Sequence, residues 1–195
     1  CDGLKWSQMT RVLIELARRF LSAPEYIDAE WLKPKYWRDP PTSDSIDVTS
    51  AATWKPDTAR KRPAVTISRQ DAGVVKTSIG DRLHGDVNLK GSRFFSHNIV
   101  GQHTITAVGR SEPEAEELAA EMHTKFSAHG LDILTAYGLL SFQVLKIGGP
   151  GRVVECNDFI GVPVPVAWAL EERWMITPQA LTLAKLSVEI PDPPS

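Results

Sequence analysis

Five consecutive residues, Val162-Pro163-Val164-Pro165-Val166, constrain this chain more than any others in it. The valines suit a pleated, half-buried strand, and two prolines spaced two apart remove the backbone donors from one side of that strand. Such a strand is expected at a sheet edge, at a bend, or where the chain leaves one sheet for another.

A second set of prolines, Pro34, Pro40, Pro41, Pro56 and Pro63, punctuates a stretch rich in Ser, Thr and Asp. Each removes a donor and restricts its predecessor, so residues 33–62 form neither a long helix nor a central strand. A stretch of that length in a compact domain reads as an arm or a linker. Trp31, Trp37 and Trp54 lie in or beside it and argue for anchors rather than disorder, leaving two roles open: strapping the chain's own core, or gripping a partner.

Around these segments the periodicity is that of an α+β domain, a mainly antiparallel or mixed sheet with helices on one face. Met9, Val12, Leu13, Leu16, Ala17 and Phe20 have helical spacing, with Ser7 as the expected cap and Pro24 as the stop; a helical turn is expected within residues 25–32. Residues 64–68 are a β-branched strand. Residues 71–88 read as a strand or hairpin with a long loop, where Gly73, Gly80 and Gly85 separate Val74-Val75 from Ile79 and Leu83. Residues 94–108 alternate as one long strand, bulged near Gly101.

The clearest helix starts at Ser111 and ends near His129 and Gly130, with Ser111 and Glu114 as a capping box. Ala115, Leu118, Ala119, Met122 and Phe126 form its inner face, and Glu116, Glu117, Glu121 and Lys125 its wet one. A helical turn follows before Gly138, and then strands over residues 141–147, 153–166, 167–176 and 181–190. Gly148-Gly149-Pro150-Gly151 is expected to supply the positive backbone angles of a hairpin turn. The organisation expected is a helix and arm over residues 1–62, an α+β core over 63–190, and an unfolded tail over 191–195.

With 195 residues, 42% of them apolar, and a formal net charge of −2, the chain can bury a core without disulfides and has no global pull toward nucleic acid or anionic lipid. Cys1 and Cys156 make no disulfide framework, and no stretch reads as a membrane span or a signal peptide, so a reducing cell interior is the expected compartment. Cys156, in Val-Glu-Cys-Asn-Asp, has acid rather than base beside it and is expected to pack as a small apolar residue.

Catalytic signals are sparse. His97 and His103 share a strand roughly 20 Å long between them, His84 is in a loop, and His123 and His129 belong to the acidic helix. Neither a nucleophile elbow, a Walker lysine loop nor a paired zinc-ligand motif is present. Glu171 and Glu172 point to opposite faces of a strand. Arg18-Arg19 and Arg60-Lys61-Arg62 are modest basic clusters beside the arm. No catalytic residue, metal or cofactor is expected.

One resemblance spans residues 63–190. Arg62-Pro63-Ala64-Val65-Thr66-Ile67, Gly80-Asp81-Arg82-Leu83, His103-Thr104-Ile105-Thr106-Ala107-Val108 with the helix opening Glu112-Pro113-Glu114-Ala115-Glu116-Glu117-Leu118-Ala119, and Val162-Pro163-Val164 together resemble the neck and tail-terminator proteins of tailed bacteriophages. The resemblance implies a non-enzymatic subunit of a ring, usually a hexamer, that joins the tail tube to the connector or stopper proteins of the head. It implies DNA passing through the lumen without specific binding, no membrane, and a place in the virion neck after assembly in the host cytoplasm. The arm over residues 33–62 is longer than that family's usual entry. Interface residues expected on this reading are Trp31, Trp37, Trp54, Val74, Val75, Ile79, Val162, Pro163, Val164 and Pro165. Two other readings stay open: an adaptor that binds through the Trp-rich arm, and a small intracellular enzyme with a site around His97, His103 and Glu155.

Overall fold

The computed structural model describes residues 4–40, 42, 44–55, 63–75, 93–153 and 156–176, with backbone alone for 93–95, 156–157 and 174–176. The fold is α+β. Among the described residues three helices, α1 (Met9–Phe20), α2 (Glu112–Ala128) and α3 (Gly130–Tyr137), accompany six strands: β1 (Asp47–Ser50), β2 (Ala64–Val75), β3 (Arg93–Gly109), β4 (Leu139–Val144), β5 (Gly151–Val153) and β6 (Cys156–Ile176). They form one mixed sheet in the order β1-β2-β3-β6-β4, with β5 also on β6. Only β1 and β2 run parallel.

Register explains which face is covered. Val65, Ala107 and Val162 align across three strands, as do Ile67, Ile105 and Val164, and all six are buried. Ile99 faces Leu170, and Gly101 faces Trp168, on the same side. On this side lie α1, through Met9, Leu13, Leu16 and Ala17, and α2, through Ala115, Leu118, Ala119, Met122 and Phe126. The α2 inner face is the one its spacing predicts.

Residues N-terminal to 63 belong to this same core. Leu21, Ile27, Leu32, Ile46 and Val48 are each at most 1% exposed and pack in one cluster with the sheet, so position 62/63 separates no two cores. The arm supplies β1, an edge strand, as its prolines permit. A 3-10 turn over Pro24–Tyr26 overlaps the start of the helical turn expected within residues 25–32, and another over Lys33–Lys35 follows that range.

Several local expectations are corrected. Glu121 is buried, not wet: its carboxylate accepts from the backbone N–H of Asp28 (3.1 Å) and Ala29 (3.3 Å). Ser7 does not cap α1; a 3-10 turn over Trp6–Gln8 precedes it, and Gln8 Oε1 accepts from the Lys5 N–H at 3.0 Å. Ser111 caps α2 by accepting from the Glu114 N–H, whereas the Glu114 carboxylate reaches one residue further back, to the Arg110 N–H. The bulge lies on β2 between Arg69 and Asp71, across from Gln102 and His103, and β3 itself runs unbroken against β6. The two strands expected over 153–166 and 167–176 are one uninterrupted strand from Cys156 to Ile176, β6, with β5 ending at Val153.

The glycine-rich run is not the hairpin turn its composition suggests. Among the described residues the glycine at positive φ is Gly138, at 65°, closing α3. Gly148 is required by proximity instead: a Cβ there would sit 2.6 Å from Pro163 Cγ. The run carries the chain along β6 from β4 to β5. The expected strand over 181–190, the glycine-punctuated loop with Ile79 and His84, Glu155, and the tail over 191–195 lie outside the described residues.

Candidate functional site

The proline strand is interior and uninterrupted, contrary to the expected edge, bend or change of sheet, because the two prolines point the same way. Pro165 O accepts from the Leu145 N–H at 2.9 Å and Pro163 O from the Gly148 N–H at 2.7 Å, so the backbone groups of both face the β4–β5 side. Val162, Val164 and Val166 turn theirs to β3, whose ladder loses nothing. The missing donors fall where the chain crosses from β4 to β5 and regular pairing lapses. The valine side chains are buried in the core, and the prolines are half-buried on the opposite face.

Among the described residues no helix lies over that opposite face. Gln102, Thr104, Thr106, Pro163, Pro165, Ala167 and Ala169 are half-buried along it, and Val100 is 41% exposed. Near β5 it dips into a shallow cleft of about 430 Å³ between Trp54, Thr66, Thr106, Arg152, Gly161 and Pro163. From Gln102 to Thr106 and from Pro163 to Ala169 the side chains on this face are small and uncharged, with Arg152 at the cleft and Glu171 and Arg173 further along β6.

The sheet's two outer edges are finished differently. On β1, Val48 O accepts from the Arg18 guanidinium (3.1 and 3.3 Å), Ile46 N–H donates to Lys35 O (2.7 Å), and Ser50 O accepts from the N–H groups of Thr53 and Trp54 (both 3.0 Å). Where β2 overhangs β1 it carries the bulge, Arg69 and Asp71. Charge, a bulge and covering chain are the devices that protect an edge. Strand β4 has none of them along Phe142–Val144 among the described residues; its bulge is at its start, at Leu140. Leu145 pairs inward, so by alternation the backbone groups of Phe142 and Val144 point outward. Leu140, Leu145 and Ile147 beside this edge are 53%, 44% and 43% exposed.

The three arm tryptophans pack inward. Trp54 is 7% exposed, edge-on to Phe159 at 6.1 Å, in a small cluster with Ala64 and Val108. Trp31 and Trp37 lie against the main core, under Lys35 (4.5 Å) and Arg18 (5.4 Å) respectively. Val74 and Val75 are exposed at the end of β2, 57% and 40%. The expected interface residues therefore do not form one patch.

A buried polar cluster escaped the sequence reading. His103 is fully buried; Trp168 Nε1–H donates to its Nδ1 at 2.9 Å, and Thr10 Oγ1 lies 2.9 Å from its Nε2. An indole N–H only donates, so the neutral ring carries its proton on Nε2 and donates to Thr10. Burial, reinforced by the Arg69 charge, pushes the His103 pKa down to about 4. The Trp168 ring lies over Gly101, where a Cβ would sit 2.3 Å from Cζ2. Gly101 and His103, two apart on β3, were the available signal; the partner on α1 was invisible in sequence.

On the helical side, a cleft of about 560 Å³ is lined by Leu16, Phe20, Tyr26, Ile133 and Tyr137, with Arg19, Lys125, His129 and Asp132 at its polar places. These groups engage one another: His129 stacks on Phe20 and pairs with Asp132 at 3.2 Å, and Lys125 bridges Asp28 (2.9 Å) and Glu121 (3.4 Å). Burial pulls the Lys125 ammonium pKa down, but the hydrogen bond to Asp28 and the two carboxylate charges outweigh it and raise it overall.

No family model and no curated protein sequence matches this chain.

Proposed function

We propose that this chain is a non-enzymatic structural subunit that self-assembles into a ring, of the kind that forms the neck of a tailed-phage virion as a tail terminator or head-to-tail connecting ring. The observation that carries the reading is a sheet covered by helices on one face and by chain on one edge and, among the described residues, left open along the other edge and, away from the Trp54–Phe159 cluster, on the other face. A protein that functions alone protects its edges; a subunit keeps one for its neighbour.

The rest of the molecule agrees with that role. A bare face of Thr, Ala, Pro and Val suits packing against another protein. A formal charge of −2 suits a DNA conduit, since a strongly basic lumen would hold the genome by its phosphates. The adaptor reading has less support, because Trp31, Trp37 and Trp54 are turned to the chain's own core. So has a site at His103, whose two ring nitrogens are engaged in a buried cluster.

Native mass spectrometry and negative-stain electron microscopy of the purified chain test the proposal. A discrete closed oligomer that binds phage connector or tail-tube protein is the expected result. A strict monomer with no affinity for either would overturn it.

A further inference from the structure

We infer that the cleft between α1, α2 and α3 is a binding site for a small aromatic carboxylate, separate from assembly and independent of the ring reading. Its volume of about 560 Å³ falls in the range of sites that enclose small organic molecules. The lining comes from three helices and the turn at Pro24–Tyr26, so residues distant in sequence converge on one space. Much of that lining is aromatic. Phe20 meets Phe126 edge-on at 5.2 Å and carries His129 stacked on it at 5.2 Å, and Tyr26 and Tyr137 add two further rings to the cleft. Rings held in place favour a flat guest.

The charge on the cleft is positive and only partly paired. His129 and Asp132 engage each other, and neither is left for a ligand. Lys125 has three ammonium donors; Asp28 (2.9 Å) and Glu121 (3.4 Å) take two, and one remains. Against the cost of burial, those carboxylates hold the ammonium charged. Arg19 is exposed and makes no ion pair or ring contact among the described residues, so its planar fork is open to a carboxylate. The helix ends beside the cleft do little to repel an anion, because Ala17 O accepts from the Leu21 N–H and Lys125 O from the His129 N–H. Uncommitted cations beside aromatic rings select an anion with an aromatic body over its neutral counterpart.

Calorimetric titration of the full chain with cinnamate, and with cinnamyl alcohol as the neutral counterpart, tests this. Methyl NMR of the isoleucines locates the binding, in a monomer or in a large assembly. Cinnamate is expected to bind with a Kd below about 1 mM and to shift the Ile133 methyl, and the alcohol to bind about tenfold more weakly. Arg19→Gln should bring the affinity for cinnamate down to that for the alcohol, which should itself be unchanged. Ala136→Trp fills the cleft from an exposed position and should abolish both while leaving the far-ultraviolet circular dichroism unchanged. The inference is overturned by no binding of cinnamate, by equal binding of acid and alcohol, or by shifts confined to isoleucines away from the cleft. Cinnamate binding that survives either substitution overturns it too. A strict monomer that binds cinnamate as expected would sink the ring reading and leave this site standing.

Discussion

The edge at β1 and the edge at β4 are made from similar strands and finished in opposite ways. Chain N-terminal to 63 covers the first, through Arg18, Lys35, Thr53 and Trp54, while the second ends in outward amides beside Leu140, Leu145 and Ile147. On the proposed reading the two edges have separate roles: the covered side holds the monomer together, and the side left open among the described residues is kept for a neighbour. Substitutions should separate stability from assembly accordingly.

The largest loss of stability is expected on the covered side. Trp168→Ala removes the biggest buried side chain and strands His103, and should lower unfolding free energy by about 4 kcal/mol in a urea titration. A loss under about 1 kcal/mol would contradict a rigid core beneath α1. Acid should act on the same cluster. The folded pKa of His103, about 4, lies below the ordinary 6.5, so the unfolded chain binds the extra proton between these values. Its contribution is complete above about pH 6.5 and is lost as pH falls toward 4, on the order of 3 kcal/mol. Urea midpoints across pH 4–7, with the His103 ring followed by NMR, check the sign; stability rising on acidification would refute it.

Glu121→Ala should cost about 2 kcal/mol, since it leaves the Asp28 and Ala29 amides without their acceptor and Lys125 with one carboxylate fewer. That residue shows where sequence reading ran out. Spacing identified the α2 inner face from Ala115 to Phe126 and placed Glu121 with the wet residues, because an acidic side chain in a glutamate-rich helix has no local mark of burial. What buries it is the segment around Asp28, 93 residues away in sequence. The proline strand taught a similar lesson. Loss of donors on one side was legible in Val162–Val166, yet the strand's interior position depended on the β4–β5 crossing beside it. The fold class was legible because alternation and helical spacing are local; the bare edge was not, because an edge is defined by what other strands leave uncovered.

A smaller effect is expected at the β1 edge. Arg18→Ala removes the donors to Val48 O from a side chain that is one-third exposed, and should cost about 1 kcal/mol. It should also make the protein more prone to aggregate, as light scattering would detect, because it unprotects a strand edge. Leu145→Lys combined with Ile147→Lys should change monomer stability by no more than about 0.5 kcal/mol. The same pair should abolish self-association by placing charge at the bare edge, and an unchanged oligomer would separate assembly from β4.

Self-assembly of the intact chain is the claim on which the contrast between the two edges depends, and native mass spectrometry at micromolar concentration measures it most directly. A single closed oligomer, converted to monomer by Leu145→Lys with Ile147→Lys but not by Arg18→Ala, is the result predicted. A monomer at every concentration, or an oligomer indifferent to the β4 edge, would contradict it.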